Sequence, residues 1–247
     1  MEKPRSSTPK PIEPFPIRRT DLIPAGALGL GADAEFASPL LASWVSRALK
    51  RAMDLVGSAV ALLVLSPVLI VLTMALAVQT GGRPIFVQQR IGRFGYPFLI
   101  FKFRTMAQGS EDQLQGRLER DADLADEWAT HRKLRDDPRV TRMGRILRKY
   151  SLDELPQFVN VLIGQMSLVG PRPVLEDELP LFGHHLKVIL TMRPGLTGLW
   201  GISGRNDLGY DERVQLEDRY VRRWTLWLDV SILLRTIPRV IGGRGAF

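Results

Sequence analysis

Two adjacent carboxylates, Asp153 and Glu154, close the stretch Arg148-Lys149-Tyr150-Ser151-Leu152-Asp153-Glu154. Neighbouring residues on a helix point about 100° apart, so one carboxylate can meet a substrate while the other holds a cation or orients its partner. A carboxylate can attack phosphorus as a covalent nucleophile, and Mg²⁺ is commonly held by acidic side chains together with substrate phosphates. The pair therefore suits phosphoryl chemistry. Ser151, three residues before Glu154, also fits a capping box, in which both residues only start a helix.

The company of this pair is cationic. Arg139, Arg142, Arg145 and Arg148 recur every third residue, while Val140, Met143, Ile146, Leu147 and Tyr150 fill the other side. That is the pattern of a basic amphipathic helix with no compensating acid, suited to a lipid surface. Further on, Gly170-Pro171-Arg172-Pro173 fixes φ on either side of one arginine, which lowers the entropy lost when its guanidinium clamps a phosphate or stacks on a base. A bare proline turn is the other reading. The chain carries 34 Lys and Arg against 26 Asp and Glu, so its partner is anionic. No zinc finger or RNP-type aromatic motif is present, which argues against nucleic acid. The absence of cysteine excludes disulfides, thiolate nucleophiles and Cys-based zinc sites. The three histidines, His131, His184 and His185, are spaced wrongly for a metal site.

The elements that must position these groups begin with residues 55–78, twenty-four residues without a charge. As a helix this run reaches about 36 Å, against a hydrocarbon core of roughly 30 Å. Ser66-Pro67 lies at its midpoint, and both flanks are basic, with Arg47, Lys50 and Arg51 before it and Arg83 after it. Pro67 removes a backbone donor, so a sharp bend is expected there, with the Ser66 hydroxyl able to serve the freed backbone groups. Basic residues on both flanks place both ends on one side of a membrane. The basic turn before the run is expected at the interface.

Residues 1–42 are rich in proline and read as a mobile tail; residues 43–82 form the basic entry turn and membrane helix; residues 83–247 form the catalytic domain. Within the last, residues 85–103 read as short strands with a turn at Gly92 to Gly95, and residues 107–137 as a charged surface segment. Residues 213–241 are helical, with Tyr220, Trp224, Trp227, Leu228 and Ile232 interleaved with Arg219, Arg222, Arg223 and Arg235. Such a mixture suits the headgroup layer. A core helix, or a contact between two copies in a homodimer, is the alternative. The fold class expected is mainly α with a few short β-strands.

Four motifs in order, SPVLI inside the apolar run, FKFRTM at 101–106, DPRVTRMGRILRKYSLDELPQFVNVLIGQMSLVGPRP at 137–173 and RPGLTGLWGISGR at 193–205, resemble the bacterial sugar transferases. These are small monotopic polyprenyl-phosphate phosphoglycosyl transferases, and the resemblance covers residues 43 to the carboxyl terminus. It implies that Asp153 attacks the β-phosphorus of a UDP-sugar, expelling UMP and forming a phosphosugar-aspartyl intermediate. Polyprenyl (undecaprenyl) phosphate then attacks that intermediate in a ping-pong route. It further implies Glu154 as the Mg²⁺ ligand, Lys102, Arg104 and Arg148 at the substrate phosphates, and Pro171, Arg172 and Pro173 at the nucleotide. Where Gly201 stands, the family form often has Gln. The carboxyl-terminal portion is similar to that of hexose-1-phosphate transferases that begin exopolysaccharide, capsule or O-antigen repeats, with galactose or glucose as the sugar. The apolar run becomes a re-entrant helix-break-helix on the cytoplasmic face of the inner membrane, in contact with its lipids. A non-catalytic basic scaffold at the membrane surface is the competing reading, in which Asp153 and Glu154 only cap a helix.

Overall fold

The computed structural model describes residues 38–107, 137–204 and 208–242, with isolated positions between 114 and 134. Most of the expected 1–42 tail and of the charged 107–137 segment lies outside the described residues, although Leu114 and Leu134 are buried. The tail boundary moves: α1, Pro39–Ala42, is docked, with Ser38 donating to the carbonyls of Trp224 and Val221 and Leu41 packed on the core.

Helix α2, Trp44–Gln79, is 36 residues long. It is long and apolar enough to cross a membrane, and most of its apolar surface is bare, Leu63 being 76% and Val64 67% exposed. The helix runs on through Pro67 and is not divided into two elements there. Pro67 has no N–H to offer the carbonyl four residues back, that of Leu63, and the Ser66 hydroxyl donates to it at 2.7 Å instead. This is the service expected of Ser66.

Both ends of α2 rest on the same folded unit. Near its start, Asp54 accepts from the Ser167 hydroxyl at 2.8 Å and the Leu168 N–H at 2.9 Å; near its end, Leu69, Leu72 and Leu76 pack with Phe103 and Leu147. In the basic entry turn Arg47 is exposed, whereas Lys50 and Arg51 turn inward. Lys50 is buried on the Asp229 carboxylate, 2.6 Å away, and Arg51 donates to the carbonyls of Val161 and Leu162. A long side chain can reach an internal partner as readily as lipid, and here the buried acid decides.

The strands follow expectation. β1, Ile85–Ile91, and β2, Pro97–Phe103, form an antiparallel hairpin turning at 92–96. Thr141 then caps α3, Arg142–Lys149, its side chain accepting from the Gly144 N–H. A Cβ on Gly144 would come within 2.1 Å of the Thr105 carbonyl oxygen, so only glycine lets α3 lie against the end of β2. The arginine series is not free of acid, because Arg139 pairs with Asp137 at 2.7 Å before the helix begins.

After α3 come α4, Gln157–Leu162; β3, Ser167–Val169; α5, His185–Ile189; β4, Gly195–Thr197; α6, Leu199–Ser203; α7, Tyr210–Arg222; and α8, Leu226–Gly242. β3 and β4 pair in parallel. The main core gathers Phe98, Ile100, Val161, Met166, Val169, Tyr220, Val221, Trp224 and Ile232. The expected headgroup helix at 213–241 is therefore corrected: it is two helices, and Tyr220, Trp224 and Ile232 are core residues. Only α8 keeps a bare apolar stripe, Trp227, Leu234, Ile237 and Ile241, at helical spacing.

Candidate active site

The carboxylate pair sits on a corner. α3 ends at Tyr150, Ser151 takes the left-handed conformation with φ 54, and a single 3₁₀ turn, Leu152–Glu154, follows. A left-handed non-glycine residue is a strained way to change direction, and such strain collects at functional sites. Ser151 makes no side-chain cap hydrogen bond, and Glu154 Oε1 instead accepts from Lys102 Nζ at 2.8 Å. The capping-box reading is thereby set aside.

Lys102 reaches this corner from β2, fifty-odd residues earlier in the chain, and Arg148 from the last turn of α3, its Nε donating to the Thr105 hydroxyl at 3.0 Å. Burial lowers the Arg148 pKa, and the Asp153 charge is the first of those that oppose this. Asp153 itself is recessed but reachable. Burial, then the adjacent Glu154 carboxylate, push its pKa up to about 6, with Lys102 and Arg148 pulling the other way. The site thus holds an acid short of compensation beside two cations, an arrangement that gains from a further positive charge.

Among the described residues no three His, Cys, Asp or Glu side chains are grouped to cage a metal. The donor set at the corner is one or two carboxylate oxygens. That fits Mg²⁺, which takes one or two carboxylates and completes its shell with water and phosphate oxygens, and does not fit an all-protein cage.

The Pro171-Arg172-Pro173 element lies at the end of β3. Its backbone is pinned at three points: the Pro171 carbonyl accepts from Gly195 at 2.7 Å, the Pro173 carbonyl from Arg90 at 3.3 Å, and the Arg172 N–H donates to Glu217 Oε1 at 3.1 Å. The Arg172 guanidinium lies over the Trp200 ring, 5.2 Å from its centroid. Arg90, which holds the Pro173 carbonyl, also donates to Gln88 Oε1 at 2.8 Å and lies 3.9 Å from the Glu178 carboxylate. Arg104 is not brought to the corner; its guanidinium donates to the carbonyls of Arg83 at 2.9 Å and Ile85 at 3.3 Å.

Sequence reasoning left Arg90, Glu178, Arg213 and Glu217 without roles. A signal for two of them was present. Arg213, Glu217, Tyr220 and Trp224 fall on one helical stripe, and charges on a stripe whose other members are core aromatics must be buried against something.

The bacterial sugar transferase family model matches residues 45–243. Over 207 residues the chain is 46% identical to an undecaprenyl-phosphate galactose phosphotransferase of Salmonella typhimurium, covering 84% of this chain and 43% of that protein. A UDP-galactose-lipid carrier transferase of Erwinia amylovora is 45% identical over the same length, again with 84% and 43% covered. The exopolysaccharide production protein ExoY of Rhizobium meliloti is 45% identical over 198 residues, covering 80% of this chain and 88% of that protein. The chain thus spans less than half the length of the first two and most of the third. Its four motifs, its carboxylate corner and this match over most of its length agree: the chain belongs to the bacterial sugar transferase family.

Proposed function

We propose that this protein transfers hexose 1-phosphate, from UDP-galactose or UDP-glucose, to undecaprenyl phosphate, as the first membrane step of exopolysaccharide, capsule or O-antigen synthesis. The observation that carries the proposal is the Asp153 carboxyl, reachable, raised to about 6 and set between Glu154, Lys102 and Arg148. In the first half-reaction an Asp153 oxygen attacks the β-phosphorus. The bond from that phosphorus to the bridging oxygen breaks, and UMP leaves with the electron pair. In the second, an oxygen of the lipid phosphate attacks the same phosphorus and the bond to Asp153 breaks. Lys102 and Arg148 offset the charge that moves between phosphate oxygens. Glu154 would hold Mg²⁺ together with the substrate phosphates, and the ion would supply further charge neutralisation there. The names of the relatives support the lipid carrier and favour galactose.

The same reading places α2 in one leaflet of the inner membrane, re-entering on the cytoplasmic face. Asp54 and Leu76 are about 33 Å apart along a straight helix, near the thickness of the hydrocarbon core, yet both rest on one folded unit. A single unit on both ends supports a helix whose two ends lie on one side. Cysteines replacing Trp44 and Arg83 are then labelled from the same side of the membrane; labelling from opposite sides would restore a spanning helix.

The reaction is tested by UMP release from UDP-sugars with undecaprenyl phosphate present, in wild type and in Asp153→Asn. Release by wild type and its loss in the variant are expected. Full activity in the variant would remove the nucleophile, and no release from any donor by wild type would favour a membrane-surface scaffold.

A further inference from the structure

Beside the bare stripe of α8 the surface opens into a groove of about 340 Å³, set between α7, α8 and the start of α6. One wall is polar: Arg219 and Arg223 come from the end of α7, Thr225 from the turn that follows, and Ser231 from α8. The other wall is apolar and includes Trp227 and Leu228. Trp227 is also the first member of the stripe that continues through Leu234, Ile237 and Ile241, so the groove opens directly onto the bare apolar surface.

The two arginines have nothing to hold. Arg219 and Arg223 lie one turn apart on the outer side of α7, opposite the core residues Tyr220, Val221 and Trp224, and both are exposed. Among the described residues neither guanidinium makes a hydrogen bond or an ion pair, whereas their neighbour Arg222 donates to Asp218 at 2.7 Å. None of the residues lining the groove is acidic. The Thr225 hydroxyl oxygen accepts from the Leu228 N–H at 3.0 Å, which leaves its own proton to donate outward. Two cations and two hydroxyls beside an apolar wall match one class of ligand, a phosphate that carries an apolar tail.

The groove also stands at the right level. Lys50 and Asp229, 2.6 Å apart, tie the first turn of α8 to the second turn of α2. Each helix opens with an exposed tryptophan, Trp44 on α2 and Trp227 on α8. Tryptophan at the end of an apolar surface collects in the headgroup layer, where lipid phosphates lie. The carboxylate corner is built from β2, α3 and the turn after it, none of which lines the groove, so a lipid seated here is not at the reacting phosphorus.

We propose that this groove is a headgroup site for an anionic phospholipid that is not a substrate. Arg219 and Arg223 hold the phosphodiester, Thr225 and Ser231 donate to its oxygens, and the acyl chains run from Trp227 along the α8 stripe. The bound lipid fastens the corner between α7 and α8 to the membrane surface. The inference rests on the membrane association proposed above and not on the chemistry at Asp153.

The full chain is placed in phosphatidylcholine vesicles that carry a minor fraction of brominated lipid, either phosphatidylglycerol or phosphatidylcholine. Quenching of Trp227 is read as the difference from Trp227→Phe. Brominated phosphatidylglycerol is expected to quench it several-fold more strongly than brominated phosphatidylcholine, one arginine at an anionic headgroup being worth about fivefold. Arg219→Gln combined with Arg223→Gln is expected to abolish that excess. Arg235→Gln combined with Arg239→Gln changes the net charge equally but outside the groove, and is expected to leave the excess at the wild-type level. An excess that survives the first pair of changes overturns the site, and so does one that falls equally with both, since only diffuse attraction then remains. Removal of the excess by inorganic phosphate at constant ionic strength makes this a site for a soluble anion and overturns the proposal. Displacement by undecaprenyl phosphate more readily than by unbrominated phosphatidylglycerol assigns the groove to the lipid substrate, which overturns it too. A Trp227 that neither brominated lipid quenches takes α8 out of the membrane and the proposal with it. UMP release is measured on the same vesicles: selective quenching without UMP release removes the transferase reading and leaves the lipid site standing, so the two failures stay distinct.

Discussion

Two groups of charged side chains are sunk into this protein, and they differ in how completely their hydrogen bonds close. At the root of α2, Asp229 accepts from Lys50 at 2.6 Å, the Tyr220 hydroxyl at 2.7 Å and the Trp224 ring N–H at 3.0 Å, and Lys50 also donates to the Val169 carbonyl. Asp54 is satisfied by Ser167 and Leu168 beside it. In the arginine cluster behind the Pro171-Arg172-Pro173 element, buried donors on Arg90, Arg213 and Trp200 stay unbonded. A closed buried network fixes geometry, whereas an open one retains capacity to bind. The first holds the membrane helix to the domain; the second contains the residues proposed to meet substrate.

Exchanging one acid in each group separates the two. Asp153→Asn is expected to reduce UMP release by at least about 10³-fold, the scale of losing a nucleophile, with no drop in thermal stability. Asp229→Ala strands the buried Lys50 ammonium and is expected to cost about 3–5 kcal/mol in a denaturation midpoint. Lys50→Met combined with Asp229→Ala should cost less than the sum of the two alone, since no charge is then left unpaired. Activity lost in Asp229→Ala at full stability would mean that the anchor network takes part in chemistry.

The pH dependence sharpens the contrast. Asp153 must be ionised to attack, and burial together with Glu154 holds its pKa at about 6. The first half-reaction is therefore expected to fall roughly tenfold per pH unit below 6 and to level off above it. Glu217 gives a stability effect instead. Burial raises it from 4.5 to about 7 in the folded protein. Between those values the folded state binds more protons than the unfolded state, so wild type loses stability as pH rises through that window. Glu217→Gln, whose carbonyl can still accept from Arg172, should relieve up to about 3 kcal/mol above pH 7 and nothing below 4.5. Thermal melts at pH 4.5 and 8 read the difference.

The open group was the easier one to find in the sequence. Asp153, Glu154, Lys102, Arg148 and Arg172 sit in contiguous motifs, and the structure brings the first four to one corner. The hairpin was legible because β-branched and aromatic residues flank a glycine turn. The anchor network was misread for a physical reason. Lys50 and Arg51 precede a bare apolar helix, and a basic flank looks the same whether it faces headgroups or a buried acid some 180 residues away. Sequence periodicity reports which face of a helix is polar, but not what covers that face. The same ambiguity hid the core role of Tyr220 and Trp224 behind their neighbouring arginines.

Ser66 tests the comparison at its smallest scale, where a single hydroxyl closes a network inside the membrane helix. Its donation to the Leu63 carbonyl at 2.7 Å replaces the N–H that Pro67 lacks. In lipid no water can take over, so Ser66→Ala leaves that carbonyl unsatisfied at a cost of about 1 kcal/mol, visible as a small fall in melting temperature in bilayers. In a Pro67→Ala background the restored N–H donates to the same carbonyl, and the serine becomes dispensable. Equal losses from Ser66→Ala in both backgrounds would show that the hydroxyl serves something other than the proline.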